Sequence, residues 1–427
     1  DAGGYTVHYG HIMADGRTLD DVLVTVFRAP RSYTGEDAAE ISCHGSQYIV
    51  SETLRLLTAA GARMAQPGEF TIRAYLAGKL DLSQAEAVAD IIASSSRASH
   101  ALAANQMRGG YSAAFDTLRE KLLHLTSQLE LELDFSEEEV EFADRTQLRD
   151  TMRQIKERID ALRSSFSLGN AIKEGVAVAI VGAPNVGKST LLNRLLNEER
   201  AMVSDIAGTT RDVIEERANI DGIVFRFLDT AGIRSTNDTL EQMGIARTMS
   251  SIERAQIIIR LIRRTRIRRK PFIRTNGPEV RPCSASADSA ADTPSPNFPL
   301  RPDQTLLTVY NKIDKTPRFA LPEGAVGISA RNGDGIDDLR RILRDAVDTE
   351  ALYHGGTVIS NSRHYEALTS ASEALSAALD GLRDNLPTDL LSEEIRQVIR
   401  HLSGVTGQDI VPEEVLKTIF SKFCIGK

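Results

Sequence analysis

The chain has 427 residues, 41% of them hydrophobic and 26% charged, with a formal net charge of −8. Its longest apolar runs fall well short of the ~20 residues a membrane-spanning helix needs, so a membrane role is not expected, and the acidic balance gives no global bias towards nucleic acid. Three scattered cysteines, Cys43, Cys283 and Cys424, argue against a disulfide framework and point to a cytoplasmic protein; no signal peptide is visible, although the sequence opens at Asp1 without Met.

Residues 1–80 mix a strand-like run, DVLVTVF (21–27), with turn-rich RSYTGED and a helical pattern from about Tyr48 to Ala60, which reads as a small α+β unit. From Ser83 the period changes to that of helices. Leu118, Leu122, Leu125, Leu129 and Leu133 recur at helical spacing, as do Met152, Ile155, Ile159, Leu162 and Phe166. Leu391, Ile395, Ile399 and Leu402 form a third stripe near the end of the sequence. Residues 81–172 and 348–427 therefore read as one discontinuous helical domain, interrupted by residues 173–347.

The interruption has a different texture. VAVAIVG (176–182) is a continuous apolar run, as expected of a parallel strand covered on both faces. Further runs at 223–230, 255–262, 305–312 and 325–330, with helical segments between most of them, indicate a doubly wound α/β domain.

GAPNVGKST contains G-x-x-x-x-G-K-[ST] from Gly182 to Ser189, directly after a strand and opening a helix, as a phosphate-binding loop requires. Backbone N–H groups of Asn185, Val186, Gly187 and Thr190 can surround phosphates, Lys188 can reach the β/γ-phosphates, and the Ser189 hydroxyl can ligate Mg²⁺. DTAG (Asp229, Thr230, Ala231, Gly232) ends another strand, where a carboxylate can hold the metal through water. NKID follows a third: Asn311, Lys312 and Asp314, whose carboxylate can accept from guanine N1–H and N2–H. Ser329 and Ala330 supply donors for guanine O6, and Thr209 or Thr210 of SDIAGTTRD is placed to close on Mg²⁺. Five elements in order on one α/β segment specify a guanine-nucleotide site, with GTP as substrate. Ile233 and Arg234 follow Gly232, so the Gln that positions water in Ras-like proteins is missing. Glu241 is within reach if its segment folds back, but a lone Glu there reads first as a solvated carboxylate at a helix start.

GAPNVGKSTLLN, VSDIAGTTRDV, DTAGIR and the terminal FCIGK, together with YTGEDAAEISCHG, PGEFTIRAYLAGKLDLSQAEA and LDFSEEEVEF, resemble the MnmE (TrmE) tRNA-modification GTPases over nearly the whole chain. The resemblance implies a Ras-like P-loop GTPase domain (173–347) inserted in the helical domain, and an N-terminal tetrahydrofolate-binding and dimerisation domain (1–80). It implies a homodimer that works with the flavoprotein MnmG on tRNA, building carboxymethylaminomethyluridine at C5 of the wobble uridine. Residue by residue, Asn185, Ser204, Ile206 and Thr209 would surround K⁺; Asp205, Ala207 and Gly208 lie in the same nucleotide-binding segment. Ser189 and Thr210 would bind Mg²⁺, and Glu241 would position the attacking water. K⁺ at that place would neutralise charge developing on the phosphates. Glu40, Lys79 and Lys427 match family positions that bind a 5-formyl- or methylene-tetrahydrofolate, and Cys424 matches the family's terminal thiol, whether nucleophile, acid/base or structural. The alternative is a regulatory or ribosome-assembly GTPase with no modification chemistry of its own.

Two stretches depart from the family pattern. The sequence opens at DAGGYTVHYGHIM, past the family's glycine-rich opening and first strands, and a chain lacking those is expected to bind folate and dimerise poorly. RLIRRTRIRRKPFIR (260–274) is followed by Pro/Ser/Ala-rich sequence to about Pro302. It reads as a solvated insertion, or an irregular sequence such as a frameshift yields, in preference to an RNA patch, because it lacks aromatics and helical periodicity. Cys43 and His44 lack further ligands at zinc spacing and read as a buried turn, and SEEEVEF (136–142) as a solvated helix or loop.

Overall fold

The computed structural model describes residues 3–134, 145–197, 215–228, 249–263, 300–315, 321–347, 349, 356–407, 416, 419–420 and 423. In chain order the elements begin with β1 (Thr6–Ala14), β2 (Arg17–Phe27) and β3 (Ala38–Ser42). Seven helices follow: α1 (Gln47–Ala59), α2 (Glu69–Leu76), α3 (Leu82–Ala93), α4 (Arg97–Met107), α5 (Gly110–Asp134), α6 (Arg145–Ser164) and α7 (Phe166–Glu174). Next come β4 (Val176–Val181), α8 (Lys188–Asn197), β5 (Glu216–Ile220), β6 (Ile223–Phe227), β7 (Ile257–Arg263), β8 (Thr305–Asn311) and β9 (Val326–Ile328). The last are α9 (Ile336–Asp345), α10 (Ser362–Arg383) and α11 (Thr388–Thr406). The chain divides into two compact bodies, one of Asp1–Ser94, Ser99–Gly169 and Ala351–Lys427, the other of Ser95–Ala98 and Asn170–Glu350.

In the first body β1, β2 and β3 form an antiparallel sheet in that order. Asp15 and Gly16 join β1 to β2 with φ of 48° and 75°, the left-handed pair that a tight hairpin demands and that Asp-Gly adopts readily. The helical core is built from four stripes. Leu118, Leu122, Leu125 and Leu129 of α5, Met152, Ile155, Ile159 and Leu162 of α6, Leu368 and Leu375 of α10, and Leu391, Ile395 and Leu402 of α11 are buried together. Full burial of one such side chain contributes about 1.5–3 kcal/mol, so these helices are held by packing more than by propensity. Leu133, expected to extend the α5 stripe, is instead exposed, because the face it occupies has turned out of the core at the helix end. Phe166 and Ile399 are only partly buried.

α3 carries two kinds of contact. Its start is fixed by a reciprocal cap, in which Asp81 accepts from the Gln84 N–H and the Gln84 side chain accepts from the Asp81 N–H. Leu82, Ala85 and Val88 then cluster with Phe420 and Phe423. Glu86, on another face, accepts from Arg363 Nε at 2.9 Å and lies 2.8 Å from His364 Nε2. Arg363 also donates to the Gly404 and Val405 carbonyls, closing the C-terminal end of α11. Burial alone would raise the Glu86 carboxyl, but the neighbouring His364 and Arg363 outweigh it and hold it at about 2.

The turn expected to be buried at Cys43 and His44 is not. Cys43 is half-buried and the His44 side chain is 75% exposed, anchored only because its backbone N–H and Nδ1 both meet the buried carboxylate of Asp20.

The second body is a six-stranded sheet in the order β5-β6-β4-β7-β8-β9. Five strands run parallel, and β5 pairs antiparallel with β6 at the edge. All six residues of β4 are buried, as a central parallel strand requires. β5 adds a strand to the expected apolar runs: ERANI is short, and its polar residues alternate with Ala218 and Ile220, which point inward. The first four residues of the basic segment are strand rather than insertion, since Arg260 to Arg263 complete β7 and Leu261 is buried beside β4. The rest of that segment, and SEEEVEF, lie outside the described residues.

Candidate guanine-nucleotide site

β4 has β6 on one side and β7 on the other, so the strand order reverses there. A crevice opens at such a point beyond the carboxyl ends of the strands. The loop from Gly182 to Gly187 occupies this position and delivers the chain into α8. Two of its glycines are compelled by close approach. A Cβ at Gly182 would lie 2.3 Å from the Leu261 carbonyl oxygen, and a Cβ at Gly187, where φ is 106°, would lie 2.3 Å from Asn311 Nδ2. Asn185 takes the left-handed conformation (φ 61°) that lets the loop turn between them.

Asn311, at the end of β8 and only 2% exposed, ties three loops together. Its Nδ2 donates to the Val186 carbonyl at 2.8 Å, and its Oδ1 accepts from the N–H groups of Lys312 at 2.7 Å and Ala330 at 3.0 Å. Lys312, itself left-handed with φ 66°, sends its ammonium back to the Asn185 carbonyl at 2.8 Å. Asp314 is exposed at the mouth of the crevice, and one of its oxygens accepts from the buried Ser329 hydroxyl at 2.8 Å. Ser329 is fixed in turn by its N–H to the Asp334 carbonyl at 2.9 Å.

Lys188 donates to the Gly182 and Ala183 carbonyls at 2.8 and 3.2 Å, which holds a positive charge inside the loop; burial lowers its pKa. Val186 is buried, Ser189 half-buried and Thr190 exposed. Ser189 lies in the first turn of α8 after Lys188, and among the described residues its hydroxyl has no partner, so it is available to a cation. One residue that pattern reading passes over is Arg194. It donates to the Arg331 carbonyl at 2.7 Å and so braces the Ser329–Ala330 loop from α8. Its place on α8, within two turns of Lys188, is the available signal.

The described residues thus bring together Asn185, Val186, Gly187, Lys188, Ser189, Asn311, Lys312, Asp314, Ser329 and Ala330 around one crevice. Ser204, Asp205, Ile206, Ala207, Gly208, Thr209, Thr210, Asp229, Thr230, Ala231, Gly232, Glu241, Cys424 and Lys427 lie outside the described residues. In the other body Glu40 is exposed on β3. Lys79 stands in the turn after α2, its ammonium on the Pro30 carbonyl at 2.5 Å. Among the described residues no hydrogen bond or ion pair joins Glu40 to Lys79.

A family model described as the MnmE helical domain matches residues 82–424, and one described as the GTP-binding protein TrmE N-terminus matches residues 2–79. The tRNA modification GTPase MnmE of Cytophaga hutchinsonii is 49% identical over 99% of this chain and 88% of its own length. The proteins of that name from Bacteroides fragilis and Flavobacterium johnsoniae are each 48% identical over 99% of this chain, covering 90% and 89% of their own lengths. Among solved structures, a point variant of Aquifex aeolicus Era bound to GDP.AlF4- is 26% identical and covers 46% of this chain and 65% of its own, at a TM-score of 0.23.

Proposed function

The chain belongs to the MnmE family of tRNA modification GTPases, and from that premise we propose that it hydrolyses GTP to drive modification of C5 of the wobble uridine of certain tRNAs together with the flavoprotein MnmG. The observation that carries the GTP reading is the single carboxamide of Asn311, which holds the phosphate loop, the base-reading loop and the Ser329–Ala330 loop in one register.

In this reading the N–H groups from Asn185 onward and the positive end of α8 take the phosphates. Lys188 exchanges the Gly182 and Ala183 carbonyls for a phosphate oxygen. Asp314, with one oxygen on Ser329, accepts from guanine N1–H and N2–H, which adenine does not offer. Ser189 and Thr210 would hold Mg²⁺, which would neutralise phosphate charge, and Glu241 would position the water. A K⁺ ion held by Asn185, Ser204, Ile206 and Thr209 would supply positive charge to the transferring phosphate and favour G-domain pairing across a homodimer. A tetrahydrofolate derivative on Glu40, Lys79 and Lys427 would supply a one-carbon unit; Lys79 uses one N–H on Pro30 and retains others for a carboxylate. Cys424 serves the modification step, in the cytoplasm.

The test is mass analysis of wobble uridines in a deletion strain complemented with this chain, paired with hydrolysis assays of the purified protein. Restored modification, GTP turnover that ATP does not replace, and activation by K⁺ but not Na⁺ at matched ionic strength are expected. Equal rates in both ions would remove the cation from the mechanism, and unmodified tRNA beside normal GTP turnover would leave a regulatory GTPase.

A further inference from the structure

α5 and α11 pack side by side in the first body, and between them lies a groove of about 270 Å³. That volume falls below the ~300–1,000 Å³ of pockets that enclose an organic ligand. Its size suits one compact charged group presented from a larger partner. Three guanidinium groups line it: Arg119 from α5, and Arg396 and Arg400 from α11.

Their states differ. Arg396 is held by Glu130 and lies 3.8 Å from Glu393, and Arg400 donates once to Glu393 at 2.7 Å. Arg119 makes no hydrogen bond or ion pair among the described residues, and its Nε is buried without a partner. The Ser403 hydroxyl, which also lines the groove on a residue only 1% exposed, is likewise buried without a partner among the described residues. Buried polar groups in folded proteins are nearly always satisfied, so two orphaned donors in one small groove call for an acceptor from outside. A guanidinium fork offers parallel N–H groups that match a phosphate, and three cations against two carboxylates leave the groove positive.

We propose that this groove binds a backbone phosphodiester of tRNA, with Arg119 and Arg400 as the forks and Ser403 as a neutral donor at the base. The assignment of RNA as the source rests on the tRNA reading above; the phosphate chemistry rests on the groove alone.

The test is binding of labelled tRNA to the full-length chain, followed by fluorescence anisotropy across a KCl series. Arg119→Gln and Arg400→Gln should each weaken binding about tenfold at low salt, as the loss of a charge-assisted hydrogen bond does, and reduce the slope of log K against log salt by about 0.7–0.9. Arg119→Lys should keep the slope while losing affinity, and Arg383→Gln, an arginine paired with Asp380 and Asp384, should change neither. GTP hydrolysis without tRNA should be unaffected in all four, and circular dichroism and denaturant unfolding matching wild type should report that the helical body folds. Wild-type binding that the groove variants leave unchanged would overturn the groove. Absence of any tRNA binding would overturn the tRNA reading and, with it, the RNA source. Inorganic phosphate or polyglutamate binding that is lost in Arg119→Gln, with tRNA affinity intact, would assign the groove to another anion and overturn the proposal.

Discussion

Replacing Asn311 with Ala removes the carboxamide but little of the surrounding packing, so its effect can be worked from three bonds. The Val186 carbonyl loses its donor at 2.8 Å, and the Lys312 and Ala330 N–H groups lose their acceptor at 2.7 and 3.0 Å. Lys312 is partly exposed and can turn to water, whereas Val186 and Ala330 are each only 2% exposed and cannot do so without opening the loops. Two buried groups left unsatisfied cost about 1–3 kcal/mol each. Nucleotide binding requires both loops in register, so the cost appears as lost affinity: about 2–6 kcal/mol, or roughly 30- to 20,000-fold at 1.4 kcal/mol per decade. Titration of the purified protein with a fluorescent GDP analogue measures it directly. Asn311→Asp keeps the acceptor for both N–H groups but sets an oxygen against the Val186 carbonyl, and should fall between wild type and Ala. An Asn311→Ala protein whose GDP affinity changes less than about threefold would refute the reasoning, because the loops would then be holding their register without the carboxamide.

Gly182→Ala would place a Cβ 2.3 Å from the Leu261 backbone oxygen, which has no rotamer to yield, so β4 and β7 must part. Denaturant unfolding followed by circular dichroism should show a loss of about 1–3 kcal/mol, and an unchanged midpoint would count against the close approach. Glu86 is held at about 2 against an ordinary value of 4.5, so its ionised form contributes on the order of 3 kcal/mol to the first body at neutral pH. Because the folded value is the lower one, that contribution is complete above about pH 4.5 and is lost as pH falls towards 2. The stability difference between wild type and Glu86→Gln should therefore shrink as pH falls across that acid window; a difference independent of pH there would deny the ion pairs with Arg363 and His364.

Much of the second body is legible in the sequence because its signals are local. A fully buried parallel strand must be a continuous apolar run, and glycine is the only residue type that fits beside the Leu261 oxygen and Asn311 Nδ2, at Gly182 and Gly187. The helical stripes of α5, α6 and α11 are legible for the same reason, since leucine and isoleucine at helical spacing have one reading. α10 is harder: Ala371 and Ala378 alternate with Leu368 and Leu375, and small residues weaken the pattern although they pack as closely. Arg119 and Ser403 are invisible for a different reason. Each owes its meaning to a missing partner, and a lone arginine or serine on a helix carries no trace of that in its neighbours. Asn311 is intermediate: its motif announces a nucleotide contact, whereas its part in binding the loops to one another emerges only from the geometry.

The cluster of Phe420 and Phe423 against Leu82, Ala85 and Val88 bears on how the chain is made. Gly68, at the start of α2, leaves the room: a Cβ there would stand 3.1 Å from Phe420 Cβ, Cδ1 and O. During synthesis α3 is complete long before its cover exists. At ~5–20 residues per second, on the order of 20–60 s separate Val88 from Phe420, and through that interval the whole nucleotide-binding body is made while one apolar face of α3 waits. The first body therefore closes last although it begins first, and a ribosome-bound nascent chain should show α3 open to a chaperone or protease until residues 416–423 emerge.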